Sequence, residues 1–599
     1  MIQIYFNLIY HSQCPEAETL RGRKALREVE SIHALILVTF VSTYYNVMSG
    51  SAIKDRIWIL MASVFAFVPF LGLAHLFDWD EINFAECARE MLVSNDYLQV
   101  QIGFKPFYEK PPLYIWFQVL SMKLFGINEF AARFPNAICG IISLQVIYSM
   151  GAYLKNRTFA LWWVLAYACS FLPHFYFKSG IIDPWFNLFI FLSFFYVYRY
   201  FHQNSLLRYV LIAAFFLGLA VLTKGPVAIL LLSLSSAVAL AFSMYKKDKG
   251  LGDLLNKNVL FHALIFLLIT LLPTAIWYGI VVWKNGPGLV YDFIQYQIRL
   301  MQTEDAGHGG FPGYHVVVLL IGCFPASIFA IRQLGRNKEN DPMLYWMKSL
   351  FWVVLILFSI VQSKIVHYSS LAYFPITFMA AYTLHQNIEW RRWQKGLSLF
   401  LMGVLSAFII LLPWLGQNTE RIKPLFQKDK FALANLSASV DWSGYESILG
   451  VILILGLALI VGFLLKNQAK KGIVTLFMLA FIAIQGIIYL FVPKIEGYSQ
   501  RSAIDFFKAQ SGQNVCVNTL GYKSYAHWFY GNIQPQNVCD ALASQTNNHI
   551  HTYYVVTKIT SGNPPELTNF ERWYEKNGFV FWRKYANQTD SLASPSPVQ

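Results

Sequence analysis

The chain has 599 residues, of which 56% are hydrophobic, 17% aromatic and only 13% charged, against roughly 25% charged in an ordinary soluble domain. This composition excludes a soluble globular enzyme and indicates a polytopic α-helical membrane protein. The formal net charge of +14 does not point to nucleic acid, because Lys and Arg sit in short loops between apolar runs and not on one basic face.

Residues 1–50 form an N-terminal extension. The charged run TLRGRKALREVE precedes SIHALILVTFVSTYY, which is short for a span and lacks an A-x-A cleavage pattern. The segment reads equally as an upstream mis-start, with Met48 the natural initiator, or as a disordered or membrane-surface extension. A transmembrane domain is expected over 51–492, followed by a soluble domain over 493–599. About 20 apolar residues cross the hydrocarbon core, which gives about thirteen spans. They lie near 57–77, 136–153, 158–177, 185–201, 207–223, 226–244, 259–283, 316–334, 344–362, 366–385, 397–415, 447–466 and 472–492. The fifth and sixth could form one hairpin.

Basic loops stay cytoplasmic. With the N-terminus inside, the alternate loops carry Lys155 and Arg157, Arg199 and Arg208, Lys246 and Lys247, Arg332 and Arg336, Arg391 and Arg392, then Lys470 and Lys471. The other loops are 78–135, KSGIIDP, the TKGP turn, 284–315, SKIVHY and everything after about 493. Their positive charges are few and single, among them Lys178, Lys224 and Lys364, and each raises a question of function.

In the first outer loop Phe84, Cys87, Ala88, Met91 and Leu92 recur with helical spacing, leaving Glu86, Arg89 and Glu90 on the other side. That predicts a helix lying on the membrane surface, with those three charges solvating it. Asp80 and Glu81 stand at its start, where a carboxylate favours the helix dipole whatever else it does. A second interfacial helix opens at Pro111 and Pro112, just after Glu109 and Lys110. Asp183 before Pro184 reads as either a helix N-cap or a functional carboxylate. The glycines of EDAGHGGFPGYH are no nucleotide loop, since no strand precedes and no GK[ST] follows; they suit a flexible lid.

The last hundred residues change to a soluble mix, with β-prone NVCVNTL and TYYVVTKI beside the helical pattern of SAIDFFKAQ. They read as a small α/β domain outside the membrane. Of seven scattered cysteines, only Cys516 and Cys539, each closing a QNVC tetrapeptide, invite pairing, and they could equally stay free. SLASPSPVQ at the end reads as a disordered tail.

The order DE-x3-AE-x2-REM, YEKPPLYIW, LFGINEFAARFPNAICG, KSGIIDPWFNLF, LTKGPVAILL and SKIVHYSSLAYFPI resembles the bacterial branch of the protein O-mannosyltransferase superfamily, close to the lipid A aminoarabinose transferases, over roughly residues 57–385. The resemblance implies the GT-C architecture: many transmembrane helices, two interfacial helices in the first outer loop and an outer C-terminal domain. It further implies transfer of a sugar from a polyprenyl-phosphate carrier to a lipid, protein or glycan acceptor, at the periplasmic face of the bacterial inner membrane. A monomer is expected, with membrane lipids as its surroundings and neither nucleic acid nor nucleotide as a partner.

Displacing a polyprenyl phosphate from an anomeric carbon calls for a base or charge stabiliser at the acceptor and positive charge at the departing phosphate. By resemblance Asp80 matches the first-loop aspartate, with Glu81 its neighbour, and Asp183 the second recurring aspartate. Lys110 matches the phosphate-holding lysine, with Lys224, Lys364, Arg299 and Tyr368 as further phosphate ligands. Glu109 has a counterpart implicated in holding a divalent cation, and His308 and His315 could complete such a site for zinc or a similar ion. The Gly-rich 304–315 loop and the C-terminal domain depart from the aminoarabinose enzymes, so neither sugar nor acceptor carries over by likeness. A transporter or flippase is the competing class, although it would place charges near the bilayer midplane and repeat its halves.

Overall fold

Lipid offers no partner for a backbone amide, so apolar runs of this length fold as helices that satisfy their own N–H and C=O groups. In the computed structural model the described residues are 50–586, apart from 108, 204, 247–255, 289, 292, 294, 296–309, 336–340, 387–389, 540–541 and 543–549. The chain divides into two units, 1–58 and 59–599. The first is described only from Gly50, where helix α1 (Gly50–Phe67) begins, so the expected extension lies outside the described residues.

Among the described residues eight helices are long and apolar enough to cross a membrane; the expected segments coincide with helical structure except that the first, 57–77, is helical only to Phe67. Residues 207–245 form two helices, Leu207–Lys224 and Val227–Tyr245, turned at Gly225. Three expected spans are interrupted. The third is Arg157–Ala168 followed by Phe171–Tyr176, the eighth is Tyr314–Gly322 followed by Ala326–Leu334, and the tenth opens as a 3-10 segment, Val366–Ala372. Two of these breaks face each other. Ser170 Oγ donates to Ala166 O at 2.6 Å and Cys323 O at 3.2 Å, and Phe171 N donates to Phe324 O at 3.3 Å. Irregular backbone persists in such a bundle because protein, not lipid, surrounds it.

The first outer loop carries the two expected helices, α2 (Asp80–Ser94) and α3 (Leu113–Phe125), with a short hairpin, β1 (Gln101–Ile102) and β2 (Lys105–Pro106), between them. One expectation is corrected: Glu86, Arg89 and Glu90 do not solvate α2 but are fully buried. Arg89 grips Glu86 through two bonds of 2.7 Å and reaches Asn532 of the C-terminal domain at 3.3 Å. Glu90 accepts the amides of Gly103 at 2.6 Å and Phe104 at 2.7 Å, which ties the hairpin to the helix. Burial and the adjacent Glu86 charge raise the Glu90 carboxyl above the usual range.

A second buried pair anchors the start of α2. Arg133, in α4 (Glu129–Leu154), binds Glu81 at 2.9 and 2.7 Å and also donates to the carbonyls of Leu71 at 2.8 Å, Ala74 at 2.7 Å and His75 at 2.9 Å. Glu81 accepts further bonds from Phe77 N at 2.9 Å and Gly180 N at 2.5 Å. Burial pushes the Glu81 carboxyl up, but the Arg133 charge and these hydrogen bonds outweigh it and hold it below its ordinary range.

The C-terminal domain is an α/β unit, as expected, built on a mixed sheet ordered β3-β4-β6-β5 from Val515–Leu520, Thr552–Lys558, Glu571–Lys576 (β5) and Phe579–Tyr585 (β6). β3 and β4 run parallel, with Val517 opposite Tyr554; β4 and β6 are antiparallel, with Val555 opposite Trp582. Helix Arg501–Ala509 covers one face, where Phe506 meets Phe581 at 4.7 Å. Cys516 on β3 and Cys539 form a disulfide, Cα atoms 5.9 Å apart.

Glu81→Gln leaves the Arg133 charge buried without its counter-ion and should lower stability by about 3 kcal/mol, read as the unfolding midpoint of purified protein in detergent. Because the folded pKa is depressed, the pair's contribution is complete above the ordinary glutamate range and is lost as pH falls through the lowered value. The gap between variant and wild type should therefore narrow in acid, and a gap independent of pH would contradict the assignment. Replacing Cys516 and Cys539 together by serine should cost about 3 kcal/mol through freed chain entropy, measured as faster proteolysis confined to residues beyond 500.

Candidate functional site

Four chain segments end at one place. Asp80 is the first residue of α2, and Asp183 is the first residue of the helix Asp183–His202, with Pro184 pre-set for the first turn. Lys224 is the last residue of Leu207–Lys224, where Gly225 at φ 95° stops the helix in a conformation that other residues rarely adopt. The 3-10 segment then delivers His367 and Tyr368.

Asp183 is buried, and its carboxylate does not cap its own helix. Instead Lys224 Nζ binds Asp183 Oδ1 at 2.7 Å, so Lys224 is no lysine snorkelling from a span end. His367 Nε2 stands between the two carboxylates, 3.4 Å from Asp80 Oδ2 and 3.9 Å from Asp183 Oδ2. Those separations are electrostatic contacts, longer than good hydrogen bonds. The Lys224 ammonium also lies over the rings of Tyr368 at 5.3 Å and Phe186 at 5.6 Å, which hold it from either side. Behind His367, Ser370 Oγ donates to the His367 carbonyl at 2.5 Å and accepts from Asn187 Nδ2 at 2.7 Å, fixing the 3-10 turn on its neighbour helix.

Asp80, Asp183, Lys224 and Tyr368 are thus brought together, as expected of one site. Glu81 is turned away from it and committed to Arg133, with both oxygens occupied. The Lys364 reading also changes. Its ammonium donates to Ser359 O at 2.8 Å, Phe358 O at 3.3 Å and Val361 O, capping the carbonyl end of helix Pro342–Ile360. Glu109 and Lys110 are half-buried just before α3, and the Glu109 charge, after burial and the charges of Glu90 and Glu86, helps raise the buried Cys87 thiol. His315 is buried, its Nδ1 3.1 Å from Ser369 Oγ, with Nε2 unpartnered. Arg299 and His308 lie outside the described residues, as does most of the expected lid. Among the described residues no group of three or more His, Cys, Asp or Glu converges as a metal site.

Sequence reasoning missed His367, the group that touches both carboxylates. Its signal was present in SKIVHY, but Lys364 and Tyr368 in the same string drew the chemical argument. It also left Lys178 without a role. His367 also lines a cavity of about 310 Å³, together with Phe70, Phe77, Tyr176, Ile488 and the Glu81–Arg133 pair. Lys178 lines it, donating to Pro69 O at 2.7 Å and facing the Phe70 ring at 5.5 Å. Burial pulls its pKa down to about 7.

The family of dolichyl-phosphate-mannose-protein mannosyltransferases matches residues 109–277. An undecaprenyl phosphate-alpha-4-amino-4-deoxy-L-arabinose arabinosyl transferase of Shewanella sediminis is 25% identical over 384 residues, covering 62% of this chain and 68% of that protein. The enzyme of the same description from Photorhabdus laumondii is 26% identical over 334 residues, covering 54% of this chain and 58%, less than two thirds, of its own length. The crystal structure of ArnT from Cupriavidus metallidurans bound to undecaprenyl phosphate superimposes with a TM-score of 0.68 at 18% identity, over 90% of this chain and 99% of that one. The shared fold, the family match and these relatives make the chain similar to membrane glycosyltransferases of the GT-C class, the superfamily of the protein O-mannosyltransferases and the aminoarabinose transferases.

Proposed function

We propose that the protein moves a sugar from a polyprenyl-phosphate carrier to an acceptor at the outer face of the inner membrane, with Asp80 as the residue that acts on the acceptor. The observation that carries this reading is the unequal treatment of the two carboxylates. Asp183 is buried and paired with Lys224 at 2.7 Å, while the Asp80 side chain keeps 28% of its surface exposed and, among the described residues, is paired with His367 alone, at 3.4 Å. A carboxylate already bonded to an ammonium has an oxygen committed; one with only a distant imidazole keeps its oxygens for the acceptor hydroxyl.

In the reaction the acceptor oxygen bonds to the anomeric carbon while the bond from that carbon to the phosphate oxygen breaks. Asp80 orients the acceptor and accepts its proton, and the bonding pair leaves on the carrier phosphate. Positive charge must meet that phosphate. Lys110 is the first candidate, and Tyr368 stands at the same site through Lys224. Lys178 supplies a further ammonium in the adjoining cavity. His367 lies against both carboxylates and positions them.

The undecaprenyl phosphate and 4-amino-4-deoxyarabinose named for the bacterial relatives are the carrier and sugar to test first, with lipid A as the first acceptor. The positively charged alternate loops support an extracytoplasmic site and C-terminal domain. A divalent ion held by Glu109 with His308 or His315 belongs to the same proposal, supported by the unpartnered His315 Nε2. Chelation should then reduce transfer and zinc restore it; transfer unchanged after exhaustive chelation would remove the ion from the proposal.

In proteoliposomes supplied with carrier-linked sugar and acceptor, Asp80→Asn should lower the initial rate by about 100-fold or more at unchanged thermal stability. Near-normal transfer by that variant would refute the assignment of Asp80. His367→Gln and Lys224→Met should each reduce the rate by about tenfold or more. Mass spectrometry of envelope lipids and glycans from a deletion strain should show one sugar missing from one class of molecule, which names sugar and acceptor together.

A further inference from the structure

The cavity that adjoins His367 contains a cation that the protein itself does not balance. Lys178 is only 8% exposed, and its ammonium donates to the Pro69 carbonyl at 2.7 Å. Among the described residues it makes no other hydrogen bond and no ion pair, which leaves two of its three donors unused. Glu81 supplies a carboxylate to the same lining, but Arg133, Phe77 N and Gly180 N already occupy both of its oxygens. Burial depresses the Lys178 pKa to about 7, and no acidic neighbour acts against it. An ammonium taken out of water without a counter-ion is costly to keep, and in membrane proteins such a group marks a ligand site.

The walls say what kind of anion could enter. Phe70, Leu73, Tyr176 and Ile488 make the cavity largely apolar, and its volume of about 310 Å³ suits a headgroup with the first part of a chain. Phe70 and Leu73 keep 40% and 42% of their surface exposed. The Phe70 ring packs at 5.0 Å on Tyr489, in the last turn of Ala469–Leu490, a helix long and apolar enough to cross a membrane. That wall therefore stands at a span end, where exposed apolar side chains meet lipid. The lining also includes His367, 3.4 Å from Asp80, and Phe77 and Glu81, which flank Asp80 in the chain. A charged anchor, apolar walls and a lipid-facing rim fit an anionic amphiphile.

We propose that this cavity binds the phosphate of a lipid, with Lys178 as its counter-ion and the apolar portion leaving past Phe70 and Leu73 into the bilayer. A lysine ammonium is a point charge suited to phosphate, and the reaction proposed above turns on a lipid phosphate. The site is distinct from the pair of Lys224 and Asp183, whose charges balance each other. Binding of the lipid is independent of the glycosyltransferase reading; that the lipid is a substrate rests on it. The phosphate is that of the carrier or that of a lipid acceptor, and the two arms of the test separate them.

The full chain in detergent is titrated with undecaprenyl phosphate, lipid A and the neutral undecaprenol as separate probes, and binding is read by native mass spectrometry. Lys178→Met should weaken at least one of the two phosphate lipids by about tenfold or more, leave undecaprenol within about twofold and keep the unfolding midpoint; Lys178→Arg should restore binding. A loss confined to undecaprenyl phosphate assigns the cavity to the carrier, and a loss confined to lipid A assigns it to the acceptor. In a transfer assay the KM of that same lipid should rise about fivefold or more. Leu73→Trp narrows the cavity from an exposed wall position and should weaken the same lipid about threefold, which gives a second reading if Lys178→Met does not fold. Phosphate lipids bound equally well by wild type and Lys178→Met, or an equal loss of undecaprenol, would overturn the site. Binding with the expected variant effects, by a protein that transfers no sugar, would instead refute the glycosyltransferase reading and leave the lipid-phosphate site standing.

Discussion

The bond between Glu81 and Arg133 is the constraint on which the rest of the outer face depends. Arg133 gathers the carbonyls that end the first span, at Leu71, Ala74 and His75, and the carboxylate that starts α2. Glu81 adds the amide of Gly180, three residues ahead of Asp183. One buried ion pair thereby sets the positions from which both site aspartates begin. Such a pair contributes little net stability over an apolar substitute, but it is unforgiving of misplacement, and that suits a centre whose reacting groups must stand within fractions of an ångström.

Around that pair the charges divide into those consumed by structure and those left for chemistry. Glu86 with Arg89, Glu90 with the hairpin amides, and Lys364 with three helix-end carbonyls are consumed. Asp183 and Lys224 neutralise each other and shape the field. Asp80 remains least committed. The composition of the first loop does not reveal this division, because a carboxylate written next to another is chemically the same until its partner, tens to hundreds of residues away, is known.

The parts legible in the sequence were those set by local periodicity and by the solvent. Apolar length marked the spans, β-prone composition marked β3 and β4, and the single positive charges between spans marked Lys224, whereas Asp183 was marked by the family resemblance. The interrupted spans were not legible, since Ser170 Oγ reaches Cys323 O and Phe171 N reaches Phe324 O only across the bundle. The burial of α2 failed for the same reason. Its stripe of apolar residues is real, but the opposite face is covered by a hairpin and a domain that begin 7 and over 400 residues later. His367 escaped because an imidazole inside an apolar string carries no period at all. The β5–β6 hairpin was missed because the exposed face of Glu571–Lys576 carries little apolar alternation.

The C-terminal domain is fastened to the first outer loop at several points: Leu76 N donates to Tyr530 OH at 2.7 Å, Gln500 Nε2 to Leu76 O at 2.7 Å, and His75 meets Glu496 at 2.8 Å. Its Trp528 packs so closely over Gly103 that a β-carbon there would come within 2.8 Å of the ring. During synthesis the loop emerges first, more than 400 residues ahead of these partners. Every intervening span must be threaded through the insertion machinery before they arrive. The reaction centre is therefore a late product of biogenesis, and a ribosome that stalls inside the last domain leaves a fully inserted bundle whose Asp80 has no finished wall beside it.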